Sequence, residues 1–337
     1  MKYPKFLKEN GTIGVPAPSA GAENMLKKRK YQNSKKNFEK MGYNVVLSEN
    51  IFDNTMGRSA DKKIRANEIN DMLKDKNIDF ILCGAGGEFL IETLPYIDFE
   101  LINSNPKFVA GFSDPTGILF PLTTKYDIAT IYGNNFSSFG SGEYSKSHYD
   151  FLSLIKGEKF SFKSYPLYEE MRLEKVTGLE SYNLTKKVKW KTLDGNDIEV
   201  EGRIIGGCFD IINELVGTKY DGMKDFNEKY KKDGIIWFFD NCELSMEETI
   251  RVLWKMNEFG YFKYCKAVIF GRFGVNLSYL NYDVKTCLKD SVLNELNIPV
   301  IYDADISHKP ETLPILIGSI AKVSCKNNKG TISFELK

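Results

Sequence analysis

From Thr12 to Ser113 the chain alternates short apolar runs with longer amphipathic segments, and this alternation narrows the fold more than any other feature. TIGVPAP, YNVVLS, DFILCGAGG and KFVAGFS read as strands, while Met25–Met41 and Asp61–Lys74 read as helices between them. Strand and helix in turn make a mostly parallel sheet with helices on both faces, and such sheets bind ligands beyond the carboxyl ends of their strands. From about Tyr165 to Val200 the pattern becomes polar, aromatic and Lys-rich, with a tight turn at LDGND. A second series follows: RIIGGCFDIINELVG, the strand IIWFFDN, a helix over Met246–Phe259, then KAVIFGRFG and IPVIYDADISH. The 337 residues suit two domains. We expect an α/β domain over residues 1–165, a linker over 166–200 and a smaller, barrel-like α/β domain over 201–337.

Composition restricts the partners. With 42% apolar residues and a formal net charge of +1, the chain has the make-up of a soluble globular protein, and nothing in its charge calls for nucleic acid. The Lys27–Lys36 cluster reads as a solvated helix face rather than a phosphate site. MKYPKFLKENGTIGV holds no long apolar run, so no membrane segment or signal peptide is expected and the protein is assigned to the cytoplasm. Cys83, Cys208, Cys242, Cys265, Cys287 and Cys325 are widely spaced without a CxxC, which suits reduced core thiols rather than zinc ligands. Only His148 and His308 supply imidazoles, too few for a His-rich metal site. No metal or organic cofactor is expected.

The strongest local signal is KFVAGFSDPTGILF. Phe108–Ala110 reads as a buried strand and Pro115 suits the first turn of a helix, so Ser113 stands in the sharp turn between them. A serine so placed is presented above a sheet, and the amides that follow it point toward an oxyanion formed on an attacked carbonyl. Pro115 occupies the second glycine position of GxSxG, so the turn is a variant of the nucleophile elbow. The alternative is that Ser113 or Asp114 only caps the helix. A second turn, CGAGGEF, offers Gly86 and Gly87 as one half of an oxyanion hole, with the N–H of Asp114 as the other; a simple tight turn is the competing reading.

His308 lies in a polar loop after the strand IPVIYDA, where an imidazole can reach across a cleft; His148, among polar residues at a helix start, has no such setting. A serine–histidine pair needs an acid to fix the imidazole tautomer. Asp240 ends the apolar strand IIWFFD and is preferred to Glu243, which can instead cap the helix beginning near Ser245, because a carboxylate beside a buried strand is better shielded from water.

With these residues assembled, the chain resembles the LD-carboxypeptidase family, serine peptidases that include muropeptide-recycling enzymes and microcin C self-immunity proteins. IGVPAPS, GAGGEFLIETLPYIDFELI, GFSDPT, EGRIIGGCFDIINELVGT, IIWFFDN and SHKPETLPILIG carry the likeness in that order. The resemblance implies a Ser–acid–His triad shared between two domains, with Ser113 as nucleophile and His308 as base. Asp240 stands where the family ordinarily has glutamate, and Ala85 and Glu88 replace an arginine and a tyrosine around the glycines. The linker VKWKTLDGNDIEVEG looks more like the immunity branch, and its Trp190 is expected either to stack a nucleobase or to pack the domain junction. The expected activity is hydrolysis of an amide in a peptidyl or aminoacyl nucleotide. The alternatives are release of D-alanine from a murein tetrapeptide and a cleft that binds without turnover. A homodimer is the expected assembly.

Overall fold

The computed structural model describes residues 1–337. Its first sheet is built from β1 (Thr12–Val15), α1 (Met25–Lys40), β2 (Asn44–Leu47), α2 (Lys62–Lys74), β3 (Phe80–Leu82), α3 (Leu101–Ser104), β4 (Phe108–Gly111), α4 (Thr116–Thr124) and β5 (Thr130–Tyr132). The strands β2, β1, β3, β4 and β5 lie side by side in that order, all parallel. Neighbours reverse direction along the chain at β1 and β3, and the crevice at such a switch point is where open sheets place their ligands. Helix α1 starts at Asn24, whose side chain accepts from the Lys27 amide, and α2 starts at Asp61, which accepts from Lys63. Both caps satisfy donors that a helix cannot satisfy internally.

The second sheet takes longer to assemble. After α5 (Lys146–Ile155) come β6 (Ser161–Lys163), β7 (Leu167–Tyr168), β8 (Lys186–Lys187), β9 (Lys191–Thr192), β10 (Ile198–Cys208), α6 (Phe209–Leu215), α7 (Met223–Tyr230), β11 (Ile235–Asp240), α8 (Met246–Glu258), β12 (Cys265–Gly271), α9 (Val284–Lys289), α10 (Val292–Glu295), β13 (Val300–Ala304), β14 (Ile315–Ile317), β15 (Ile320–Lys326) and β16 (Lys329–Glu335). Eight of these strands form one mixed sheet in the order β6, β16, β15, β10, β11, β12, β13, β9, with β10 to β13 parallel. Strand β11 is buried along its whole length, as IIWFFD suits a strand covered on both faces.

The sheets do not respect the boundaries expected at 165 and 200. Strand β14, from the far end of the chain, pairs antiparallel with β5 in the first sheet. In the other direction β6 and β9 join the second sheet. One continuous apolar core runs through both sheets. No helix is long and apolar enough to cross a membrane.

The glycine pair of RIIGGC is required where the two units meet. A Cβ on Gly207 would lie 2.5 Å from Cγ2 of Thr116, so only hydrogen lets β10 approach α4 this closely. The same contact lets the Cys208 amide donate to Thr116 Oγ1 at 3.0 Å.

Trp190 lies in this framework, not in a cleft. Its side chain is fully buried, its ring packs against Gly330 at the β15–β16 turn, and its Nε1–H donates to Asp305 at 3.0 Å. The nucleobase-stacking expectation is therefore corrected: no face of this indole is free. Trp190→Ala should lower stability by about 3–5 kcal/mol, as removal of a large buried aromatic does. Urea denaturation would measure it, and a loss below about 1 kcal/mol, the scale of a surface substitution, would contradict the burial.

Candidate active site

Four loops converge where the carboxyl ends of the two parallel arrays face each other. Strand β4 delivers Ser113, whose backbone adopts φ +69°, an uncommon left-handed conformation for a residue with a side chain. This twist turns Oγ out of the strand-to-helix corner. Asn135 holds the corner from behind, with Oδ1 accepting from the Phe112 amide at 2.8 Å and Nδ2 donating to the Phe112 carbonyl at 3.0 Å.

Beyond β13, the loop carrying His308 is anchored by a buried cation. Arg272 pairs with Asp305 and donates to the carbonyls of Lys309 and Glu311, both at 2.8 Å. The imidazole tilts against the Phe112 ring, centroids 4.6 Å apart. Its Nε2 lies 2.8 Å from Ser113 Oγ and its Nδ1 2.9 Å from Asp240 Oδ1. Because an ionised carboxylate only accepts, Nδ1 carries the proton toward Asp240, leaving Nε2 free to accept from the serine hydroxyl.

Asp240 is wholly buried at the end of β11. It also accepts from the His308 amide at 3.1 Å and from the Tyr132 hydroxyl at 2.7 Å. Burial raises the Tyr132 phenol well above its ordinary range and the adjacent carboxylate adds to the effect, so the group remains a donor. For His308, burial disfavours the cation, but the Asp240 carboxylate outweighs it and the imidazole pKa is raised. Glu243 is exposed and does not meet the imidazole; the helix it was expected to cap is closed by Ser245 and Glu248 instead.

The three residues expected to form the oxyanion hole lie on the turns after β3 and β4. A Cβ on Gly86 would stand 3.2 Å from Ser113 Oγ, and the amides of Gly86 and Asp114 donate to no acceptor within the protein. Both are available to a developing oxyanion. The Gly87 amide likewise donates to no acceptor within the protein, while its α-carbon packs against Ser19 and Ala20, one residue further from Ser113 along the turn. The Asp114 side chain does not cap α4. It accepts from the Ser19 hydroxyl and from the Leu90 amide, tying the loops after β1 and β3 to the serine turn, and burial pushes its carboxyl up to about 6.

His148 is kept from base duty by its surroundings. It is buried, capped against Ser145 and within 3.1 Å of the Ser138 carbonyl, and burial brings its pKa down to about 4.

The sequence reading did not single out Tyr132, Asn135, Arg272 or Lys30. Tyr132 ends a strand beside the one that delivers Ser113, and that strand-end position was the available signal. Lys30 belongs to the cluster read as a solvated face, yet it lines a cavity of about 320 Å³ together with Ser113, Gly86 and His308. That reading is corrected for this residue.

Comparison with known proteins gives a consistent result. Residues 13–133 match the model of the LD-carboxypeptidase N-terminal domain, and residues 201–323 that of the LD-carboxypeptidase C-terminal domain. A Vibrio cholerae protein with a provisional carboxypeptidase name is 25% identical over 99% of this chain and 96% of its own. The microcin C7 self-immunity protein of Escherichia coli is 25% identical over 96% and 93%. Among solved structures, the MccF-like protein from Bacillus anthracis gives a TM-score of 0.84 at 23% identity over the whole of both chains. The microcin C7 self-immunity protein in complex with aspartyl sulfamoyl adenosine gives 0.81 at 22%, again over both whole chains.

Proposed function

Since the chain belongs to the LD-carboxypeptidase family, we propose that it is a serine hydrolase cleaving an amide bond through Ser113, His308 and Asp240. The observation that carries this reading is the unbroken hydrogen-bond chain from Ser113 Oγ through both imidazole nitrogens to a buried carboxylate, at 2.8 and 2.9 Å. A serine that merely capped α4 would have no reason to face an imidazole.

In the reaction Ser113 Oγ bonds to the amide carbonyl carbon while its proton passes to His308 Nε2. The carbonyl oxygen becomes an anion that the Gly86 and Asp114 amides receive. Asp240 stabilises the imidazolium formed at this moment, in keeping with the upward direction of the His308 pKa. Collapse of the intermediate breaks the C–N bond, and the amine leaves with the proton from Nε2. A water molecule then gives its proton to Nε2, attacks the ester and releases the acid, and Ser113 recovers its hydrogen.

For the substrate we favour a peptidyl or aminoacyl nucleotide over a murein tetrapeptide. Trp190 lends this choice no support. What supports it is full-length likeness to immunity proteins solved with aspartyl sulfamoyl adenosine or, for a Streptococcus pneumoniae relative, with AMP. Purified protein should cleave an aminoacyl sulfamoyl adenosine faster than a tetrapeptide ending in D-alanine, compared by kcat/KM. Faster cleavage of the tetrapeptide would replace the nucleotide reading and leave the triad in place. Failure of a fluorophosphonate to label Ser113 would remove the hydrolase reading itself, because an unactivated serine does not react.

A further inference from the structure

We propose that Lys30, Arg172 and Lys175 form a receptor for a negatively charged group of the ligand, a carboxylate or a phosphate, in the same cavity as Ser113. The word substrate for that ligand rests on the hydrolase reading above; the binding does not.

Three cations from two distant parts of the chain line this cavity: Lys30 from α1, and Arg172 and Lys175 from the segment joining β7 to β8. Arg29, next to Lys30, donates to the Thr177 carbonyl at 3.4 Å and so joins the helix to that segment. Neither Lys30 nor Lys175 has a carboxylate within 4.0 Å. The cavity's two acids are each held by other groups, although Glu180 Oε2 is buried without a partner. Glu180 accepts from Thr177 Oγ1 at 2.7 Å and from the Thr177 and Val176 amides at 2.5 and 3.0 Å. Glu169 accepts from the Asn183 amide at 2.6 Å and lies 3.9 Å from Arg172.

Withdrawing a charge from water costs free energy unless a partner offsets it, and like charges nearby add to that cost. Lys30 shows both effects: burial, then repulsion from Lys175 and Arg172, bring its pKa down to about 8. Glu180 and Glu169 offset this only in part, and an anion among the three would supply the remaining counter-charge. Arg172 brings a planar fork suited to two oxygens, and the lysines bring point charges. The guanidinium also donates to the His308 carbonyl at 3.2 Å, which places the receptor beside the base. A ligand held there carries its anion close to the bond facing Ser113.

Calorimetric titration of the full chain carrying Ser113→Ala tests the receptor at equilibrium, with no turnover to obscure binding. Two probe pairs distinguish the sources of charge: AMP against adenosine, and a tetrapeptide with a free terminal carboxylate against its carboxamide. In at least one pair the anion should bind about 10- to 100-fold tighter than its neutral partner, the range of a charge-assisted hydrogen bond. That preference should shrink with added salt and collapse in both Lys30→Gln and Lys175→Gln, whereas Lys30→Arg should restore it. Preference for AMP identifies a phosphate, and preference for the peptide acid a carboxylate. Equal binding of charged and neutral partners in both pairs would overturn the receptor, as would a preference that both glutamine variants leave intact at an unchanged melting temperature. Lys175 sits on an exposed segment, so its variant keeps the test decisive should Lys30→Gln fold poorly. Anion preference in a protein that proves unable to hydrolyse any substrate would sink the hydrolase reading and spare the receptor; turnover without preference would do the reverse.

Discussion

Ser113→Ala should eliminate hydrolysis, with a loss in kcat on the order of 10^6-fold, the scale seen when a nucleophile is removed from a serine triad. His308→Ala should do comparable damage, because Oγ 2.8 Å from Nε2 has no other base to take its proton. The double variant should be no slower than either single one. Two residues that act in one proton transfer cannot each be lost twice, and the residual rate comes from the amides of the oxyanion hole and from binding. Stability should stay within about 1 kcal/mol of the parent for Ser113→Ala, since the hydroxyl fills no core space. Steady-state kinetics and a denaturation curve on the same preparations would test both statements. A Ser113→Ala protein retaining a tenth of the parent rate would remove this serine from the chemistry, and losses that add in the double variant would mean that serine and histidine serve separate steps.

The parts of this site legible in the sequence are those written in short local patterns. GFSDPT joins a buried strand to a proline-started helix, IIWFFD runs apolar up to a single carboxylate, and SHKPETLPILIG follows a strand, so each could be placed at a strand end without knowing the fold. What escaped depends on pairing between distant segments. The apolar triplet of β14 carries nothing that says it returns to β5, so the crossing of one strand into the other sheet could not be read from the sequence. Trp190 misled because a polar, Lys-rich linker suggests exposure, whereas its indole is held by an aspartate more than a hundred residues away. Lys30 misled in the opposite sense. The six basic residues of Lys27–Lys36 read as a solvated face, whereas the β7–β8 segment lies over that helix and Lys30 faces the cavity between them.

The acid offers the sharpest test of how the two sheets cooperate, because Asp240 comes from one and the serine it serves from the other. Asp240→Asn keeps the shape of the side chain but can present an N–H to Nδ1, favouring the tautomer whose Nε2 carries the proton and cannot accept one from Ser113. Turnover should fall by about four orders of magnitude, whereas Glu243→Gln, at an exposed position off the imidazole, should cost little. The pH profile gives a second and independent readout. In the parent the Asp240 carboxylate raises the His308 pKa against the opposing effect of burial. Since the base works only when neutral, the rising limb of kcat/KM should lie on the alkaline side of the ordinary imidazole value of about 6.5. In Asp240→Asn the larger raising cause is gone, leaving only Cys242 against burial, so the limb should move to lower pH. Linkage fixes the sign for stability as well: the pair's contribution is full below about 6.5 and is lost as pH rises through the raised His308 pKa, so the parent's advantage over Asp240→Asn should shrink toward alkaline pH. A limb that stays in place on substitution, with turnover only mildly reduced, would show that some other group orients His308 and that the buried carboxylate of β11 is structural.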